Sequence, residues 1–254
     1  MSSTKFAMTL GFIQAPILLM LTLKTNRALD RMLETRKAWG VLSKATRTLT
    51  NLNMVYLFKY DPEITLLIVR YLAFVGWSLK ATYRKDEDDT EMIQTLFKHY
   101  PDEKEYLLSS PTKKPVAIVT RIRYLLSLMS GSSTPPTILL RMEELIYDIE
   151  TTIGICARVF VSPVPPTYTR HTSRVLLLYM FLLPAALIGT GVALVPAVLT
   201  ACFASYVLVG IDEIGVEIEY PYNLLPMFSM SKGIQTEVSK QVDMNYNMAK
   251  MRLP

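Results

Sequence analysis

A run of 37 residues without a charged side chain, 175–211, limits what this chain can become more than any other feature. Arg174 precedes it, and Asp212 and Glu213 follow it. A bilayer core about 30 Å thick is crossed by about 20 apolar residues in helix. The run is too long for one crossing and suits two. Gly189, Thr190 and Gly191 stand near its middle, where a tight reversal needs them. The run therefore predicts a helical hairpin in a membrane, with arms over 173–188 and 195–211. Pro184 falls inside the first arm, which membrane helices tolerate where neighbours satisfy the freed carbonyl. Pro196 falls in the first turn of the second arm, where its missing N–H costs little. A soluble helix pair of this length would carry a polar face, and this run has none.

Residues 6–23, FAMTLGFIQAPILLMLTL, are also free of charge. In helix they extend about 27 Å, enough for a third span. Gln14 and Pro16 interrupt it and point to a bundle interior or a water path rather than lipid. Lys24, Arg27, Arg31, Arg36, Lys37, Lys44 and Arg47 follow at once. Such an excess marks a cytoplasmic flank, so the hairpin leaves the cytoplasm and returns to it. The start of the chain then lies outside after one span, with no export signal to carry it. On this expectation the chain is a shortened version of a four-span protein that lacks its first span.

Half the residues are apolar and 19 % are charged, with mean hydropathy +0.26. That balance fits an all-α protein with three apparent spans and a large helical part in water. The formal charge of +5 is spread along the chain, and no basic block alternates with aromatic residues, which argues against a nucleic-acid partner. Between 25 and 161 the sequence predicts cytoplasmic helices. Leu42, Ala45, Leu49, Leu52 and Tyr56 recur at threes and fours on one helical face, with Pro62 as its end. Residues 63–83 form a second apolar helix, in which Arg70 and Lys80 argue against a span. The charged run 85–91 reads as a solvated loop without calcium-loop spacing. Residues 101–115, with three prolines, read as a connector. Helices are expected over 114–130 and 137–161, split at 131–136. The domain reading is one unit over 1–227 and a C-terminal tail over 228–254.

Chemistry of the catalytic kind finds no support. There is no phosphate-cradling glycine loop, and His99 and His171 lie far apart outside any metal spacing. Cys156 and Cys202 sit in apolar settings and behave as small hydrophobes. No enzyme activity, metal site or cofactor is expected.

Three blocks carry a resemblance: LKTNRALDRMLETRKAWG at 23–40, SPVPPTYTRHTSR at 162–174 and GIDEIGVEIEYPYNLLPM at 210–227. In order and spacing they are similar to the bestrophin family of ion channels. The resemblance implies a homopentamer with four spans per subunit, a multi-pass membrane protein passing chloride or other small anions passively through a central pore. It places the pore neck at Ala15, Leu19 and Leu23, a cytosolic aperture at Val164, and Lys24 as a charge at the inner mouth. Ala15, Leu19 and Leu23 are four apart and share a helical face. By spacing alone they suit a lipid- or bundle-facing stripe equally, just as Lys24 suits a snorkelling anchor. The neck residues are smaller than the family often carries, Ala157 replaces a family Glu, and no acidic cluster follows Pro226 to hold calcium. Asp212, Glu213, Glu217 and Glu219 are expected to pair with the basic first block. The alternative is a non-conducting membrane scaffold, or a truncated paralogue that joins intact subunits.

Overall fold

The computed structural model describes residues 2–84, 88–129 and 134–250; parts of two sequence-predicted connectors, at 85–87 and 130–133, lie outside them. Among the described residues the chain is built of helices: α1 (Ser2–Leu52), continued by a π-turn (Asn53–Leu57), α2 (Pro62–Tyr83), α3 (Thr90–Leu96), α4 (Pro101–Ser109), α5 (Lys114–Leu128), α6 (Pro136–Val161), α7 (Pro166–Gly189), α8 (Leu194–Ile218), α9 (Pro221–Leu224) and α10 (Met227–Lys250). They form two compact units, one from residues 1–34 and 161–224, the other from 35–160 and 225–254. Helix α1 contributes its first part to one unit and its remainder to the other.

The first unit is the hairpin with the start of α1. Helix α7 ends at Gly189, the chain reverses through Thr190 and Gly191, and α8 begins at Leu194. Gly191 has φ +95°, a left-handed conformation in which a Cβ would be strained. The predicted hairpin and its turn are present, and both arms extend a turn or more beyond the charge-free run. Pro196 sits in the first turn of α8. Pro184 lies within α7, which continues past it. Leu10 and Ile17 of α1 pack into a small core with Leu176, Tyr179, Met180 and Ala186 of α7. Most of the apolar surface of α7 and α8 stays outside this core: Phe181, Phe203 and Tyr206 are among the most exposed large apolar side chains of the described residues.

The second unit is organised around α2. Asp61 caps it by accepting from Ile64 N at 3.0 Å, and Pro62 occupies the first turn, where a missing N–H is harmless. Ile68, Tyr71, Leu72, Phe74, Val75 and Leu79 have no exposed surface. Helices α10, α5 and α3 cover them. Close approach of α10 depends on Gly76, where a Cβ would come 3.2 Å from Ser231 Cα. Ser231 Oγ donates to the Gly76 carbonyl at 2.9 Å, and Trp77 Nε1 donates to Gln235 Oε1 at 3.0 Å. Most of the stretch read from sequence as a tail, 228–254, thus lies in α10 (Met227–Lys250), a helix against the core of this unit. Of the expected face, Leu42, Ala45 and Leu49 are buried and Leu52 and Tyr56 half-buried, and Thr152 Oγ1 of α6 reaches the Ala38 carbonyl of α1 at 3.3 Å.

Two local readings are corrected. Pro62 starts α2 rather than ending the preceding helix, which closes earlier in the π-turn. The stretch 101–115 is not a plain connector, because Pro101 opens the nine-residue helix α4 and Pro115 lies at the start of α5. Proline in the first turn of a helix gives up only an N–H that has no intrahelical acceptor. Counting prolines without their position therefore misread a helix as a loop.

Candidate functional site

The site is built on the first unit's part of α1. Its buried stripe is Leu10, Ile17, Leu21, Lys24 and Ala28, the face turned toward its own unit. Residues two apart on a helix point about 200° apart. Leu19 and Leu23 therefore face away from Ile17 and Leu21, and Ala15 is exposed with them. Leu19 is 60 % and Leu23 43 % exposed. The three residues expected at a neck form one stripe that this subunit leaves uncovered.

Behind that stripe lies a polar clasp. Lys24 is 2 % exposed, and its Nζ lies 2.6 Å from Asp212 Oδ1 of α8. The other carboxylate oxygen, Oδ2, accepts from Ser173 Oγ of α7 at 2.9 Å. One aspartate therefore ties α1, α7 and α8 together. Gly215, one turn further along α8, makes room for this: a Cβ there would stand 3.3 Å from Thr25 Oγ1 and 3.9 Å from Lys24 Cε. Nearby, Tyr168 OH donates to the Met20 carbonyl at 3.1 Å. The Arg27 guanidinium lies over the Tyr168 ring, 5.6 Å from its centroid, and Arg31 Nη1 donates to the Ser162 carbonyl. A cation this deeply buried is tolerated only with a partner, and removing one member of such a pair costs about 3–5 kcal/mol.

Three expectations meet this geometry differently. The pairing of Asp212 with the basic block is present. Lys24, expected as a mouth charge, is instead buried with its charge compensated inside the subunit. Val164 lies in the 162–165 segment between α6 and α7 and is only 9 % exposed, while Ser162, Pro163 and Pro165 around it are exposed. The sequence reading did not single out Ser173, Tyr168 and Gly215. Gly215, flanked by isoleucine and valine in the interior of α8, carried the one local signal, since glycine in a helix interior costs about 1 kcal/mol without a packing reason. Nothing in the sequence around Ser173 sets it apart from the hydroxyls beside it.

The three sequence blocks converge on this clasp, and comparison with known proteins assigns it a family. A family model described as bacterial/fungal bestrophin protein matches residues 4–240. A voltage-dependent anion channel-forming protein of Nostoc sp. is 27 % identical over 241 residues, covering 91 % of this chain and 76 % of the relative. The chloroplastic voltage-dependent chloride channel 2 of Arabidopsis thaliana is 26 % identical over 250 residues, 95 % of this chain and 59 % of the plant protein. Among solved structures, a variant of the bacterial bestrophin homologue from Klebsiella pneumoniae superposes with TM-score 0.81 at 25 % identity, covering 92 % of this chain and 86 % of that one. The chain belongs to the bacterial and fungal bestrophin family and is an integral, multi-pass membrane protein.

Proposed function

We propose that the protein is a passive anion channel, with chloride as its ion, assembled as a homopentamer around a pore walled by the exposed stripe of α1. The carrying observation is that Ala15, Leu19 and Leu23 share a face of α1 that its own subunit leaves bare, directly opposite the face fixed by Ile17, Leu21 and Lys24. Relatives named as anion and chloride channels support the ion. In this reading five copies of Leu19 and Leu23 make a dry constriction, which an ion passes by shedding part of its hydration shell. The 162–165 segment forms a second narrowing, its backbone held by Pro163, Pro165 and Pro166, with Val164 packed beneath it. Attraction of anions is not assigned to Lys24, because Asp212 compensates it.

Recording from the purified protein in a planar bilayer tests this. Under a chloride gradient the reversal potential should sit near the chloride equilibrium potential. Replacing chloride with a large organic anion should abolish the current carried by it. A reversal potential that follows the cation gradient would overturn the ion assignment. Assembled protein that passes no current in any salt would favour a non-conducting scaffold.

A further inference from the structure

From the clasp geometry we infer that Lys24, Asp212 and Ser173 are positioning residues for the neck: they lock the rotation of α1 against the α7–α8 hairpin, and so decide which side chains of α1 face the pore. The inference rests on α1's exposed stripe being the pore wall.

Lys24 follows Leu23 directly, so any turn of α1 that moves Leu23 also moves the ammonium. Turning α1 by one residue position, about 100°, would take Lys24 away from Asp212. It would also carry Leu19 off the bare face. The charge has no second acceptor at that depth: Asp212 Oδ1 is the only partner recorded for Lys24 Nζ among the described residues. Asp212 is itself aimed by Ser173, which occupies its second oxygen. Tyr168 adds a grip one turn earlier on α1, at the Met20 carbonyl. Gly215 allows α8 to approach closely enough for the bond of 2.6 Å. These contacts come from both arms of the hairpin and fall on one side of α1, at 20, 24 and 25. The opposite side carries Ala15, Leu19 and Leu23. An apolar interface alone would specify this rotation weakly, since leucines slide past one another with little penalty. A buried ion pair specifies it sharply, because the separated state leaves a charge without a partner.

The test is solvent reactivity at the neck. In a background carrying Cys202→Ser (Cys156 being buried), Leu19→Cys and Leu23→Cys are treated with a charged thiol reagent during bilayer recording. With the clasp intact, both positions should react and block the current. Adding Asp212→Asn should lower the reaction rate at Leu19→Cys several-fold and raise it at Leu18→Cys or Met20→Cys, with assembly unchanged by light scattering. Asp212→Glu, which keeps the charge, should restore most of the original pattern. The same reaction pattern and conductance in Asp212→Asn as in the parent would overturn the inference. If Asp212→Asn fails to assemble, Ser173→Ala takes its place, and an unchanged pattern there overturns it equally. Absence of reaction at both Leu19→Cys and Leu23→Cys with the clasp intact would instead overturn the pore-wall reading.

Discussion

Helices α2 and α8 are alike by length and composition and opposite in their surroundings. Each is long and apolar enough to cross a membrane. In α2, 78 % of the apolar stretch is buried within the protein, whereas in α8 the share is 11 %. The difference is visible in how each helix treats charge. Arg70 of α2 donates to the Leu96 carbonyl at 2.7 Å and lies over the Tyr100 ring, and Lys80 rests against the rings of Trp77 and Phe228. Each cation is housed by neighbouring protein. Helix α8 has no charge until Asp212, the residue that meets Lys24. One helix hides its apolar side chains in a protein core. The other leaves them outside the protein core, where lipid can cover them, so hydropathy alone cannot tell the two apart.

The contrast breaks most readily at aromatic residues. Phe74 is wholly buried, 5.9 Å from the Phe97 ring, and Phe74→Ala should lower the unfolding free energy by about 3–5 kcal/mol, followed by denaturant titration in detergent. Phe203→Ala on α8, where the ring is exposed, should shift it by under about 0.5 kcal/mol. Equal losses would mean that α8 is packed as tightly as α2. Glycine gives the next contrast. Gly76→Ala forces a methyl against the backbone of α10 and should cost about 1–3 kcal/mol, while Gly210→Ala, with nothing within 4 Å of the added carbon, should cost none.

The smallest effect is a pH dependence confined to the second unit. Glu103 of α4 is buried, which disfavours its charge. Bonds from Arg121, through Nε and Nη2, and from Tyr71 OH at 2.5 Å outweigh this and hold the carboxyl below the ordinary glutamate range. Its folded pKa is therefore lower than its unfolded one. The stability it supplies is complete above the unfolded value, about 4.3, and is lost as pH falls through the folded value. Glu103→Gln should flatten the acid limb of the unfolding curve, and a limb of unchanged slope would assign the acid sensitivity elsewhere.

The spans and the hairpin were legible because lipid tolerates no charge, and the 37 uncharged residues could not hide that. The exposed stripe of α1 was legible as spacing, though spacing does not say what faces it. What escaped were features created by contact. Ser173 is one hydroxyl among several in its block until Asp212 arrives from another helix. Lys24 reads as a flanking cation because its partner lies 188 residues away. Helix α4 escaped because prolines were weighed by number and not by place.

The reversal at Gly191 bears on how the protein reaches its membrane. Between Gly189 and Leu194 the chain carries only Thr190, Gly191, Val192 and Ala193, with no ionisable group and no segment long enough to remain in water while one arm enters alone. A tip this short and free of charge lets the two arms enter the bilayer together, with the left-handed glycine leading. A lysine at that tip would meet the hydrocarbon during biogenesis, long before any question of conduction arose.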